Sequence, residues 1–118
     1  MRHEIRTDIT GYYADQNKRA YQPEVWPGTA GGWVKTVPWG FRKLLNWIKR
    51  TYGNPPVYIT ENGFNDGQLD GTQDAGRVDY YVRYINAMLK AVRLDGWNVK
   101  VYAAWSLMDN VEWVPAYS

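Results

Sequence analysis

The chain contains no cysteine. Disulfides, zinc–thiolate centres and thiol nucleophiles therefore lie outside its chemistry. It has one histidine, His3, near the start, so a histidine metal site and a Ser–His dyad both lack their parts. Neither sign of charge dominates: 14 Lys and Arg stand against 12 Asp and Glu, a formal net charge of +2. No basic run is longer than Lys49-Arg50, which gives no case for nucleic acid. No apolar run approaches the roughly 18 residues of a membrane span. The opening stretch, Met1 to Tyr13, lacks the apolar middle of a secretory leader. A phosphate-cradling glycine motif is also missing.

What is present is aromatic and globular in character. Of 118 residues, 45% are hydrophobic, 22% charged and 16% aromatic, with seven Trp. That length allows one small domain at most. The composition is that of a chain that folds. Indoles at this density build cores, interfaces or platforms for sugars.

Residues 1–35 show no sustained period and read as mostly loop, with a glycine cluster between Gly28 and Gly32. A loop that long inside a compact domain points to something larger. Then the pattern turns helical. Phe41, Leu44, Leu45 and Ile48 share one face, Pro38 suits a first turn, Gly53 a C-terminal cap, and Pro55-Pro56 a stop. "VYIT", residues 57–60, is short, β-branched and apolar on both faces, which predicts a strand buried on both sides. A second helix is predicted over roughly Asp74 to Leu94, with Val78, Val82, Ile85, Leu89 and Val92 as its stripe and Asp95-Gly96 as its stop. A second strand follows over Val99 to Leu107.

Helix, strand, helix, strand predicts parallel strands joined by a helical crossover. Two such strands leave edges and a face open, so the sequence reads as a slice of a larger α/β protein. In parallel sheets and α/β barrels, active sites gather at the C-terminal ends of the strands. There the first strand carries Glu61. The second leads to Trp105, Ser106 and Asp109, then Glu112 and Trp113. By spacing alone, Glu61 suits a turn carboxylate paired with a nearby Arg as well as a catalytic one. Glu112 reads equally as a solvated loop charge, and the two indoles as core or rim aromatics. Asp66, Asp70 and Asp74 do not match a calcium loop and read as a solvated acidic segment. No metal and no cofactor is predicted.

"VYITENGF" at residues 57–64, together with "AAWSLMDNVEW" at 103–113, resembles family 1 of the glycoside hydrolases, the β-glucosidase family. "VPWGFRKLLNWI", and Arg77 followed by Asp79-Tyr80-Tyr81, are similar to it as well, in the pattern of the animal and especially insect members. The resemblance implies a (β/α)8 TIM barrel, of which residues 36–118 would form the seventh and eighth strand units. It implies Glu61 as the catalytic nucleophile of a retaining β-glycosidase. Trp105 would stack on the sugar ring, and Glu112 and Trp113 would bind glycone hydroxyls. The expected partner is a small β-glycoside. Animal members of the family are usually secreted or lysosomal.

Retaining hydrolysis needs a second carboxyl about 5 Å from the nucleophile. The family's acid/base Glu stands in an Asn-Glu-Pro motif, which these 118 residues do not contain. A minimal barrel also takes about 250 residues. The chain alone is therefore expected to be inert. Its unpaired strand edges predict self-association, or pairing with the remaining barrel portion. A non-catalytic sugar-binding remnant is the alternative.

Overall fold

The computed structural model describes residues 22–29, 34–65 and 73–108. Its elements run α1 (Pro38–Tyr52), β1 (Val57–Gly63), α2 (Ala75–Asp95) and β2 (Val99–Trp105). Before α1, a single antiparallel bridge joins Gly28 and Lys35. The rest of the region expected to be loop lies mainly outside the described residues.

Local chemistry sets the helix ends. Pro38 occupies the first turn of α1, where its missing N–H costs nothing. Gly53 ends that helix at φ 72°, in the left-handed region that favours glycine, and its N–H bonds the Lys49 carbonyl at 3.0 Å. Asp74 caps α2 by accepting from the Arg77 N–H at 3.3 Å. The free carbonyls at the far end of α2 are met by side chains from α1 and the loop after it. Lys49 Nζ donates to the Asp95 and Gly96 carbonyls, and Asn54 donates to Gly96 at 3.1 Å. Arg42 grips the Asp95 carboxylate with two bonds of 2.8 Å, and Asn46 adds a third at 2.7 Å. These three donors, Arg42 first, hold the Asp95 carboxyl down at about 2.

Leu45, Ala91 and Trp97 form the buried centre, with Phe41, Ile48, Val57, Val92 and Val99 packed around them. Ala91 is wholly buried. Its small side chain leaves room for α1 to approach. Burying one Leu side chain stabilises a fold by about 1.5–3 kcal/mol, so Leu45 at 2% exposure is a principal anchor.

The strands pair in parallel, as the element order predicts. Three expectations need correction. First, β1 does not stop at Thr60: Asn62 and Gly63 pair with Ala104 and Trp105, so Glu61 lies inside the strand. Second, the sheet is not covered on both sides. Tyr58, Val101 and Trp105 are well exposed, because the described helices cover only one face. Third, the stripe on α2 reaches the core at Val92 but does not form the buried face. Val78 and Val82 are more than half exposed, whereas Tyr80, Tyr84, Ala87 and Ala91 are buried, roughly half a turn away. The stripe counts apolar side chains. Contact with α1 instead selects small alanines and flat phenol rings. Leu44 of α1 is likewise exposed.

Candidate active site

The parallel pairing brings the C-terminal ends of β1 and β2 side by side. Glu61 falls in the register break between Ile59 and Asn62, and it is exposed. A bulge of this kind re-aims a side chain out of strict alternation and is enriched beside active sites. Beyond the break, Gly63 stands opposite Trp105. A Cβ at position 63 would overlap the Trp105 carbonyl oxygen and lie 2.9 Å from its carbonyl carbon. Glycine is therefore required here by space, and the Trp105 backbone presses directly on the strand that carries Glu61.

Three tyrosines hold these strand ends. Asn62 donates to the Tyr80 hydroxyl at 3.1 Å and accepts from the Tyr102 hydroxyl at 2.6 Å. The Tyr81 hydroxyl donates to the Trp105 carbonyl at 2.7 Å. Tyr80 stacks on Tyr84, centroids 4.3 Å apart, and tilts against Phe64 at 5.4 Å. Burial, reinforced by Tyr84, raises the Tyr80 phenol far above its ordinary range. Tyr102 is pushed up to about 12, mainly by burial. Tyr81 is raised for the same reason. All three stay neutral over physiological pH and keep their O–H groups as donors. Glu61 and Trp105 thus sit on a rim whose neighbouring groups are fixed by hydrogen bonds from α2 and β2.

Of the residues singled out in the sequence, the structure brings Glu61 and Trp105 to the same end of adjacent strands. Glu112 and Trp113 lie outside the described residues. Sequence reasoning missed the tyrosine latch on Asn62 and the packing of Gly63 on Trp105. The signals were Tyr80-Tyr81 at the start of α2 and an Asn-Gly pair that reads as turn chemistry but continues the ladder. Among the described residues, no group of three or more metal-ligating side chains gathers, and no helix is long and apolar enough to cross a membrane.

Glu61 and Trp105 stand at the C-terminal ends of parallel strands, where α/β barrels and open parallel sheets place their sites. Comparison with known proteins makes the class specific. The model of glycosyl hydrolase family 1 matches residues 2–118, and the chain belongs to that family. Human lactase/phlorizin hydrolase is 46% identical over 113 residues, 96% of this chain and 6% of that protein. The cytosolic β-glucosidase of Cavia porcellus is 43% identical over 108 residues, covering 92% of this chain and 23% of its own length. Among solved structures, a rice β-glucosidase mutant in a covalent complex with Glc superposes with a TM-score of 0.80 at 33% identity. That match spans 98% of this chain and 27% of the rice chain. The fold is a fragment of the family's TIM barrel, and the chain spans less than a quarter of the curated relatives named here.

Proposed function

We propose that the chain carries the nucleophile side of a retaining β-glycosidase, with its two strands as the seventh and eighth of the barrel. The observation that carries this reading is the placement of Glu61 and Trp105 on adjoining parallel strand ends, in a chain of this family. The Glu61 carboxylate attacks the anomeric carbon, and the glycosidic C–O bond breaks. The aglycone oxygen takes a proton from an acid on another part of the barrel, and water then hydrolyses the glycosyl ester. Trp105 offers its indole face to the C–H side of the sugar ring. Glu112 and Trp113 bind glycone hydroxyls. The covalent Glc complex of the rice relative fits such an intermediate.

The chain by itself is proposed to be inert, because the proton donor is absent from its sequence. Acid–base catalysis alone contributes about 10²–10⁴-fold. A second reading, an interaction fragment, is favoured by the bare sheet face with Tyr58 and Val101 exposed. Further barrel strands would cover it.

One experiment addresses both readings. The purified chain is incubated with an aryl β-glucoside, alone and after co-expression with the first six strand units of a family 1 enzyme. No turnover is expected alone. Turnover in the complemented barrel is expected to vanish with Glu61→Gln. Turnover by the isolated chain that depends on Glu61 would refute inertness. Turnover of the complemented barrel that survives Glu61→Gln would refute the nucleophile.

A further inference from the structure

On the side of α1 and α2 turned away from the sheet lies a groove of about 940 Å³. Its α1 wall carries Trp39, Lys43, Trp47 and Arg50, on the opposite side of the helix from the core residues Phe41, Leu45 and Ile48. The α2 wall carries Arg83 and Lys90, with Ala87 on the floor. Arg42 lines it as well. The groove thus lies on the face of the helix pair opposite the core, and neither Glu61 nor Trp105 lines it.

Its charge is one-sided. Five cationic side chains line it and no carboxylate does. Asp95 bonds Arg42, and Asp79 bonds Arg83 at 2.9 Å. That leaves an excess of three positive charges in a chain whose formal net charge is +2. Among the described residues, no carboxylate pairs with Lys43, Arg50 or Lys90. Both indoles are about half exposed. Lys43 lies 4.9 Å from the Trp39 ring centroid, and Trp26 meets the same indole edge-on at 5.8 Å. Trp47 is held the same way by Tyr52, at 5.9 Å. The rings are propped rather than free.

We propose that this groove binds an anionic oligosaccharide, its sugar rings resting on Trp39 and Trp47 and its carboxylate or sulfate groups on Lys43, Arg50 and Lys90. Trp39 and Trp47 are separated by about 12 Å of helix rise, which suits alternate rings of an extended pyranose chain. Indole faces cover the C–H side of such rings. Arg and Lys meet the anions, and the exposed amide of Asn86 at the groove offers bonds to hydroxyls. A planar membrane would meet the ridges and not the floor at Ala87. Three excess charges give few of the phosphate contacts that nucleic-acid affinity rests on. The proposal is independent of the role of Glu61.

Calorimetric titration of the full chain tests it, with a heparin-derived hexasaccharide as probe and cellohexaose as the neutral control. The hexasaccharide is expected to bind, and cellohexaose at least about tenfold more weakly. Replacing Lys43, Arg50 and Lys90 together by Gln should weaken hexasaccharide binding about tenfold or more, and Trp47→Ala about fivefold. Hydrogen exchange should show protection over residues 39–50 and 83–90 on binding. That mapping decides the matter if a variant loses helicity by circular dichroism. The proposal fails if a folded triple variant binds unchanged or if protection falls elsewhere. It also fails if single-stranded RNA or phosphatidylserine vesicles bind more tightly than the hexasaccharide.

Discussion

Gly63→Ala probes the contact on which the site geometry rests. The new methyl carbon would lie 2.9 Å from the Trp105 carbonyl carbon and 3.3 Å from the Trp105 Cβ, where ordinary contact begins at 3.4 Å. It would also overlap the carbonyl oxygen, so the strand ends must part by at least half an ångström. Overpacking of this kind costs about 1–3 kcal/mol. If the Tyr81–Trp105 hydrogen bond breaks as β2 moves, about 1 kcal/mol more is lost. Urea unfolding followed by far-ultraviolet circular dichroism should therefore show a loss of about 2–4 kcal/mol. Gly53→Ala is the control. Position 53 has φ 72° with nothing within 4 Å, so only the left-handed backbone is penalised, by about 1–2 kcal/mol. In the complemented barrel, Gly63→Ala should also lower kcat, since a displacement of about 1 Å at a reacting group can cost about 100-fold. A stability loss no greater than that of Gly53→Ala would refute the close approach of β1 and β2.

Other consequences can be measured on the chain itself. Leu45→Ala should destabilise it by about 2–4 kcal/mol, read from the same urea titration. The depressed Asp95 carboxyl makes the α1–α2 link acid-sensitive. Because its folded value lies below the unfolded one, the stabilisation is complete above about pH 4 and is lost as pH falls toward 2. Asp95→Asn should lower the melting temperature at neutral pH and flatten its decline over that window. At the alkaline end the sign reverses. Tyr102 is raised in the fold, so its contribution is intact below about pH 10 and lost as pH rises through about 12. Absorbance titration of Tyr102→Phe should remove one late-ionising phenol, and the alkaline transition should shift.

The order of elements was legible because its signals are local. Pro38 and Gly53 bracket α1, and Asp74 and Gly96 bracket α2. The parallel pairing followed from that alternation. The buried face of α1 was legible in Phe41, Leu45 and Ile48, but that of α2 was not. Tyr84 is buried against Phe41 of α1 and Tyr80 against Phe64 and Asn62 at the end of β1, whereas nothing described covers Val78 and Val82. Glu61 stood out as a carboxylate amid a β-branched segment. The bulge at Glu61, and the bonds that Asn62 donates to Tyr80 and accepts from Tyr102, arise between elements distant in sequence and leave no local period.

The most direct measurement is covalent capture. The complemented barrel is treated with an activated 2-deoxy-2-fluoro-β-glucoside, digested and sequenced by mass spectrometry. The account predicts one fluoroglucosyl ester, on the peptide bearing Glu61 and at that residue. A sugar ester on any other carboxylate, with Glu61 unmodified in an active barrel, would contradict it.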